Sequence, residues 1–172
     1  MTINRIPAIV GVFTLMFLLQ EALLNRIDFF IGGFSLYLAF FMAWIMQEER
    51  NSAVVTGFIA GLIADLSPTL EAPFGLWTLI LTSMSYLLAT NLRAALDADL
   101  SPVTMSIVTV GGSTIALASF VVCGAILGQD VGSPAYIFQE LLGNALWALL
   151  LSPIFVPITI SAYRATLTAR NR

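Results

Sequence analysis

Six long apolar runs, separated by short segments of charged or turn-forming residues, constrain the fold of this chain more than any other feature. A helix needs roughly 20 apolar residues to cross about 30 Å of hydrocarbon, and backbone groups in lipid must bond within their own segment. The runs therefore predict an all-α fold: a polytopic membrane helical bundle with six transmembrane helices, forming a single domain over residues 1–172. Their approximate ranges are 6–24, 29–46, 52–66, 73–92, 102–127 and 135–162.

The composition excludes a soluble protein and disfavours a nucleic-acid-binding one. Only 10% of the residues are charged and 59% are hydrophobic, whereas soluble domains carry about 25% charged residues. No segment is polar enough and long enough to form a separate soluble domain. The net charge is −3 and the sequence contains no basic cluster, so we expect no nucleic-acid partner.

The arginines predict the orientation of the bundle. Cytoplasmic segments of membrane proteins collect Arg and Lys. With six spans and both termini in the cytoplasm, Arg26 alone falls on the outer side. In this six-span topology the inner segments hold Arg5, Arg50, Arg93, Arg164, Arg170 and Arg172.

The third run is short, which leaves a re-entrant pair made of the third and fourth runs as an alternative.

The polar residue types argue against catalysis. The chain has no histidine and no lysine, which removes the commonest general base and metal ligand and any Schiff-base chemistry. Its one cysteine, Cys123, cannot form an internal disulfide or a multi-thiolate metal site. We therefore expect no catalytic residue, no metal site and no cofactor, and we predict that the protein is not an enzyme.

The third run contains the most specific polar pattern. Gly57, Gly61 and Asp65 recur every four residues and share one face of a helix. This face is a candidate surface for a partner or a cavity, as are Gly75 and Asn144. The alternative is packing within the bundle, with Asp65 holding the turn around residues 67–69.

Small residues also line one side of the fifth run, at the spacing of a helix-packing seam. The residues of this seam are Thr109, Gly112, Ala116, Ser119 and Cys123.

Pro153 and Pro157 predict a kink in the sixth run. The segment Glu48–Arg50 is predicted to be a hydrated loop, and Glu140 to lie in the first turn of the sixth helix, where negative charge suits the helix dipole.

The stretch "GFIAGLIADLSPTLEAPFGLWTLILTSMSYLLATNLRAAL" resembles the signature region of the MreD family of rod shape-determining membrane proteins. The run "LLGNALWALLLSPIF" resembles the last helix of that family, with Asn144 and Pro153 in matching places. The resemblance covers about residues 30–160. Its matching elements in the first stretch are Gly61-Leu62, Asp65, the run from Pro73 to Leu76, Tyr86 and Arg93.

The resemblance implies a non-enzymatic scaffold of the cell-wall elongation complex in the bacterial cytoplasmic membrane. The expected partners are an MreC-like single-span protein, MreB filaments, the glycosyltransferase RodA, a transpeptidase and membrane lipids. The family is also similar to the substrate-binding subunits of energy-coupling-factor vitamin transporters, which are six-helix bundles. This leaves a vitamin-binding subunit as the alternative, with Asp65, Glu71 and Trp77 as possible ligand contacts.

Overall fold

A computed structural model describes residues 5–27, 30–67, 72–92 and 101–168 of the chain. All regular elements in these ranges are helical, which confirms the all-α prediction. A short 3-10 turn at Leu24–Arg26 follows the first helix, and a π-helical turn at Leu88–Leu92 follows the fourth. The α-helices are α1 (Ile6–Ala22), α2 (Leu36–Ile45), α3 (Arg50–Ala64), α4 (Leu76–Leu87), α5 (Pro102–Ile126) and α6 (Pro134–Thr168).

Three of these helices are long and apolar enough to cross a membrane: Ile6–Arg26, Val103–Ile126 and Pro134–Leu167. The other three are apolar but shorter, at Leu36–Ile45, Arg50–Ala64 and Leu76–Thr90. Each predicted run thus contains a helix, while the number of spans and their orientation stay predictions.

The short helix α2 is the centre of the bundle. Every residue from Tyr37 to Ile45 is buried, and α2 packs against α1, α3, α5 and α6. A helix that is apolar on all sides lies either in a protein core or in lipid, and here the neighbouring helices enclose it. Because α2 is only 10 residues long, the elements around it determine the shape of the interior.

The start of the second run differs from the prediction of a helix from residue 29, because residues 30–35 are not helical. Gly32 adopts a φ of 54°, a left-handed conformation that favours glycine. The Ser35 hydroxyl then accepts a hydrogen bond from the Leu38 N–H at 3.3 Å and caps α2. The composition of the run is apolar throughout, so hydropathy does not reveal this break.

The sixth run is one continuous helix that contains both Pro153 and Pro157 and continues to residue 168, beyond the predicted end at 162. Proline at position 153 has no N–H to donate to the carbonyl of Leu149. The Ser152 hydroxyl donates to that carbonyl at 2.8 Å instead. The neighbouring side chain therefore replaces the missing backbone bond.

Candidate functional site

Asp65 links the end of α3 to the start of α4. Its Oδ1 accepts from the Trp77 N–H at 2.9 Å, and its Oδ2 accepts from the Thr78 N–H at 3.0 Å and the Thr78 hydroxyl at 2.6 Å. These are first-turn donors of α4, which otherwise lack helical partners. A carboxylate is unfavourable at the C-terminus of α3 but favourable at the N-terminus of α4. Asp65 therefore caps the following helix across the turn.

These bonds change the interpretation of the Asp65 region. The sequence placed the partners of Asp65 around residues 67–69, whereas the structure places them in α4, and the Ser67 hydroxyl donates to Glu21 at 2.7 Å. Residues 68–71 lie outside the described residues. Gly75 precedes α4 with a φ of 100° and supplies no side-chain cap. Asp65 provides the cap that Gly75 cannot provide.

The glycine face of α3 is covered by α4 of the same chain. A Cβ atom added at Gly57 would lie 2.8 Å from the Leu81 carbonyl oxygen, and one added at Gly61 would lie 2.8 Å from the Trp77 carbonyl oxygen. Both contacts are shorter than real Cβ atoms tolerate. In the structure α4 occupies this face, which favours the alternative of packing within the bundle, while contact of these glycines with a partner stays a prediction.

A second polar group, which we call the backbone clasp, consists of Gln20, Glu140 and Asn144. Its side chains bind the backbone of the non-helical segment before α2. Glu140 accepts from the Gly33 N–H at 2.8 Å, and Asn144 accepts from the Ser35 N–H at 3.1 Å. Backbone groups outside a helix must find such partners when they are buried.

The clasp joins three helices around this segment. Gln20 of α1 donates to the Phe34 carbonyl at 3.2 Å and accepts from the Tyr37 N–H at 3.3 Å. Asn144, which is only 1% exposed, also donates to the Ser113 hydroxyl of α5 at 3.3 Å. The prediction that Glu140 lies in the first turn of the sixth helix is wrong, because α6 begins at Pro134 and has no acidic residue in its first turn. Glu140 binds instead a segment 107 residues away in the sequence.

The third polar group surrounds Glu48, and the prediction of a hydrated loop at this position is wrong. Glu48 is fully buried between α2 and α3. Its carboxylate forms an ion pair with Arg5 at 3.0 Å. It also accepts from the Trp44 indole N–H at 2.9 Å and the Thr56 hydroxyl at 3.5 Å. Burial raises the pKa of Glu48, and these donors, Trp44 foremost and then Arg5, oppose that rise.

Arg5 connects this group to the far end of the chain. Its guanidinium lies 4.8 Å from the centre of the Tyr163 ring in α6, and the Tyr163 hydroxyl donates to the Gln47 carbonyl at 2.8 Å. One signal in the sequence indicates this arrangement. Trp44 and Glu48 are four residues apart and lie on one side of a helical turn, so an indole N–H is available to a buried carboxylate.

The predicted seam of α5 faces the interior. Thr109 and Ala116 are fully buried, and a Cβ atom added at Gly112 would lie 2.9 Å from the Met42 sulfur of α2. Ser119 and Cys123 are half-buried. The Thr109 hydroxyl has no hydrogen-bond partner among the described residues. At Gly112 this seam is therefore a close contact between α5 and α2.

The residues proposed for vitamin binding do not converge on an open site in the described part of the chain. Asp65 is committed to α4, and the Trp77 ring stacks on the Phe120 ring of α5 with 4.4 Å between ring centres and an angle of 11°. Glu71 lies outside the described residues. Within the described ranges, His, Cys, Asp and Glu side chains form no group that could hold a metal ion.

Comparisons with protein families, with curated proteins and with solved structures gave no match to this chain.

Proposed function

We propose that this protein is a non-enzymatic, multi-pass scaffold of the bacterial cytoplasmic membrane that works in a rod complex as MreD-like proteins do. The proposal assigns it an MreC-like single-span partner and a role between MreB filaments and the peptidoglycan synthases. The observation that carries it is the use of the buried and half-buried polar side chains. Asp65, Asn144, Glu140 and Glu48 each bind a helix end, a broken backbone segment or another helix of this chain.

This use of polar groups favours a scaffold over a ligand-binding subunit or an enzyme. A site for a small polar molecule needs several polar groups that converge and keep bonding capacity for the ligand. Here the same groups fix the relative positions of the helices. A bundle with internally bonded polar groups and an apolar exterior suits a protein whose task is to hold neighbouring membrane proteins.

The contacts support one feature of the proposed topology, which is that the two ends of the bundle's chain lie on the same side, whereas the choice of the cytoplasmic side depends on the arginines alone. Arg5 and Tyr163 meet near Glu48, so the beginning of α1 and the end of α6 lie at one end of the bundle. Glu21 and Ser67 meet at the other end. This is the arrangement expected for an even number of spans with both termini on the cytoplasmic side.

The short α2 is compatible with a second span when the preceding segment is included. Its 10 residues give about 15 Å at 1.5 Å per residue. This is shorter than the hydrocarbon thickness of about 30 Å, so the non-helical residues 30–35 would have to form the rest of the span. The backbone clasp supplies hydrogen bonds that this non-helical part lacks.

The test is affinity purification of the tagged full chain from native bacterial membranes, followed by mass spectrometry. We expect enrichment of an MreC-like protein, RodA and a transpeptidase relative to an unrelated six-helix membrane protein purified in the same way. A fusion of a reporter after Arg172 should report a cytoplasmic location. Absence of these partners together with tight binding of a vitamin would favour the transporter alternative.

A further inference from the structure

The first helix is attached to the bundle by few buried side chains. Among its residues, Ile9 and Phe13 are the two that are fully buried. The Phe13 ring inserts edge-on into a socket of aromatic rings on α2, at 5.5 to 6.1 Å between ring centres. The aromatic socket consists of Tyr37, Phe40, Phe41 and Trp44.

The end of α1 that carries Gln20 is fixed by backbone groups. Gln20 binds both the Phe34 carbonyl and the Tyr37 N–H in the broken segment before α2. If Gln20 moved away, both of these backbone groups would lose their side-chain partner at once. Glu21 adds a bond from the hydroxyl of Ser67, which follows the end of α3, at 2.7 Å. Movement at this end is therefore opposed.

The end of α1 that carries Arg5 is held differently. The polar attachment of this end is the ion pair between Arg5 and Glu48. Glu48 lies in the segment that connects α2 to α3 and belongs to neither helix. The Arg5 side chain keeps 11% of its surface exposed. Here water can solvate both partners after separation. The Glu48 carboxylate contacts Arg5 just before α1, Trp44 of α2 and Thr56 of α3. The Tyr163 ring of α6 lies against the Arg5 guanidinium.

Separation at the Arg5 end also lacks the usual hydrophobic cost. Lipid chains are as apolar as leucine, so exposing Ile9, Phe13 and the aromatic socket to lipid forfeits packing contacts but adds no apolar surface to water. We propose that α1 is a hinged helix whose Arg5 end detaches from the bundle while its Gln20 end stays bound, and that this movement uncovers the aromatic socket of α2.

Spin-label distances test the hinge in the full chain reconstituted in lipid, with Cys123→Ala as the background. The first pair, Val10→Cys and Ile158→Cys, reports the Arg5 end, and the second, Leu18→Cys and Phe138→Cys, reports the Gln20 end. All four positions are exposed. We expect the first pair to show a second, longer distance, and Arg5→Gln to raise its population several-fold while the second pair is unchanged.

Two matched variants control for charge. Arg5→Lys keeps the positive charge and should resemble the parent protein. Arg50→Gln also removes one arginine, but the Arg50 guanidinium binds the Tyr86 hydroxyl at 2.9 Å and not Glu48. The distances of the first pair should therefore not change in this variant. A first pair with one distance in both the parent and Arg5→Gln proteins would overturn the hinge, as would equal shifts in both pairs.

Glu48→Gln keeps the test decisive if Arg5→Gln fails to insert. It removes the charge that pairs with Arg5 but keeps an oxygen that can accept from the Trp44 indole N–H and the Thr56 hydroxyl. The longer-distance population of the first pair should therefore grow in this variant as well. One short distance in both the parent and the Glu48→Gln proteins would contradict the proposal.

Discussion

Replacing Arg5 by glutamine is expected to destabilise the folded protein by about 3 kcal/mol at neutral pH, because it leaves a buried carboxylate without its counter-charge. The Arg5 guanidinium lies 3.0 Å from the Glu48 carboxylate, and Glu48 is fully buried. Charge centres about 4 Å apart at an effective dielectric constant of about 20 attract each other by about 4 kcal/mol. Trp44 and Thr56 continue to donate to Glu48, so the cost falls at the lower end of the range of about 3–5 kcal/mol for a broken buried pair.

The same substitution should have a distinctive dependence on pH. Burial raises the pKa of Glu48 above its ordinary value of 4.5. Removing the positive charge of Arg5 raises that pKa further, since the arginine favours the ionised carboxylate. A raised folded-state pKa gives a stabilising contribution that is complete below the ordinary value and is lost as the pH rises through the folded-state value. The cost of Arg5→Gln should therefore be small in acid and grow toward alkaline pH.

The assay is reversible unfolding in mixed micelles, followed by tryptophan fluorescence, at about pH 5 and about pH 8. Arg50→Gln is the control, because its exposed bond to Tyr86 should contribute at most about 1 kcal/mol. A cost of Arg5→Gln below about 1 kcal/mol at the higher pH, or an equal cost at both pH values, would refute the assignment of Glu48 as a buried, paired carboxylate.

Three further substitutions, with Gly11→Ala as a control, test the packing and the caps. Asp65→Ala should destabilise the protein by about 2 kcal/mol, because the first-turn donors of α4 lose their acceptor, and a change in the unfolding midpoint near zero would contradict the cap. Gly61→Ala should cost about 1–3 kcal/mol through its contact with α4, whereas Gly11→Ala, where a Cβ atom meets nothing within 4 Å, should be neutral or stabilise by up to about 1 kcal/mol. The same measured sign for both glycine variants would disprove the close approach. Asn144→Leu should cost about 1–3 kcal/mol, since the Ser35 N–H remains buried without its acceptor, and unfolding of this variant at the parent denaturant concentration would contradict the backbone clasp.

Hydropathy was sufficient to predict the helices themselves. A long apolar run in lipid can satisfy its backbone groups only within its own helix, so each run contains a helix near its predicted place. This reasoning depends on neighbouring residues in the chain and needs no knowledge of the tertiary fold. It failed at the start of α2, where Gly32 and Ser35 end the regular pattern and side chains from distant helices bind the free backbone groups.

The pattern of small residues identified faces that pack closely, but not what they pack against. Gly57 and Gly61 need a neighbouring backbone at short distance, and either another protein or another helix of this chain would satisfy that need. The structure places α4 there. The sequence carries no information that separates these possibilities, because the helical spacing is identical in both.

Local spacing thus establishes where the helices lie and which of their faces are apolar or small, since these properties depend on residues within a few turns of each other. The partners of the polar residues are a different matter. Glu48 binds Arg5 from 43 positions away, and Asp65 binds donors 12 and 13 positions away. A carboxylate between two apolar runs looks the same whether it faces water or a guanidinium, and the packing of α1 and α6 around α2 determines which of the two it meets.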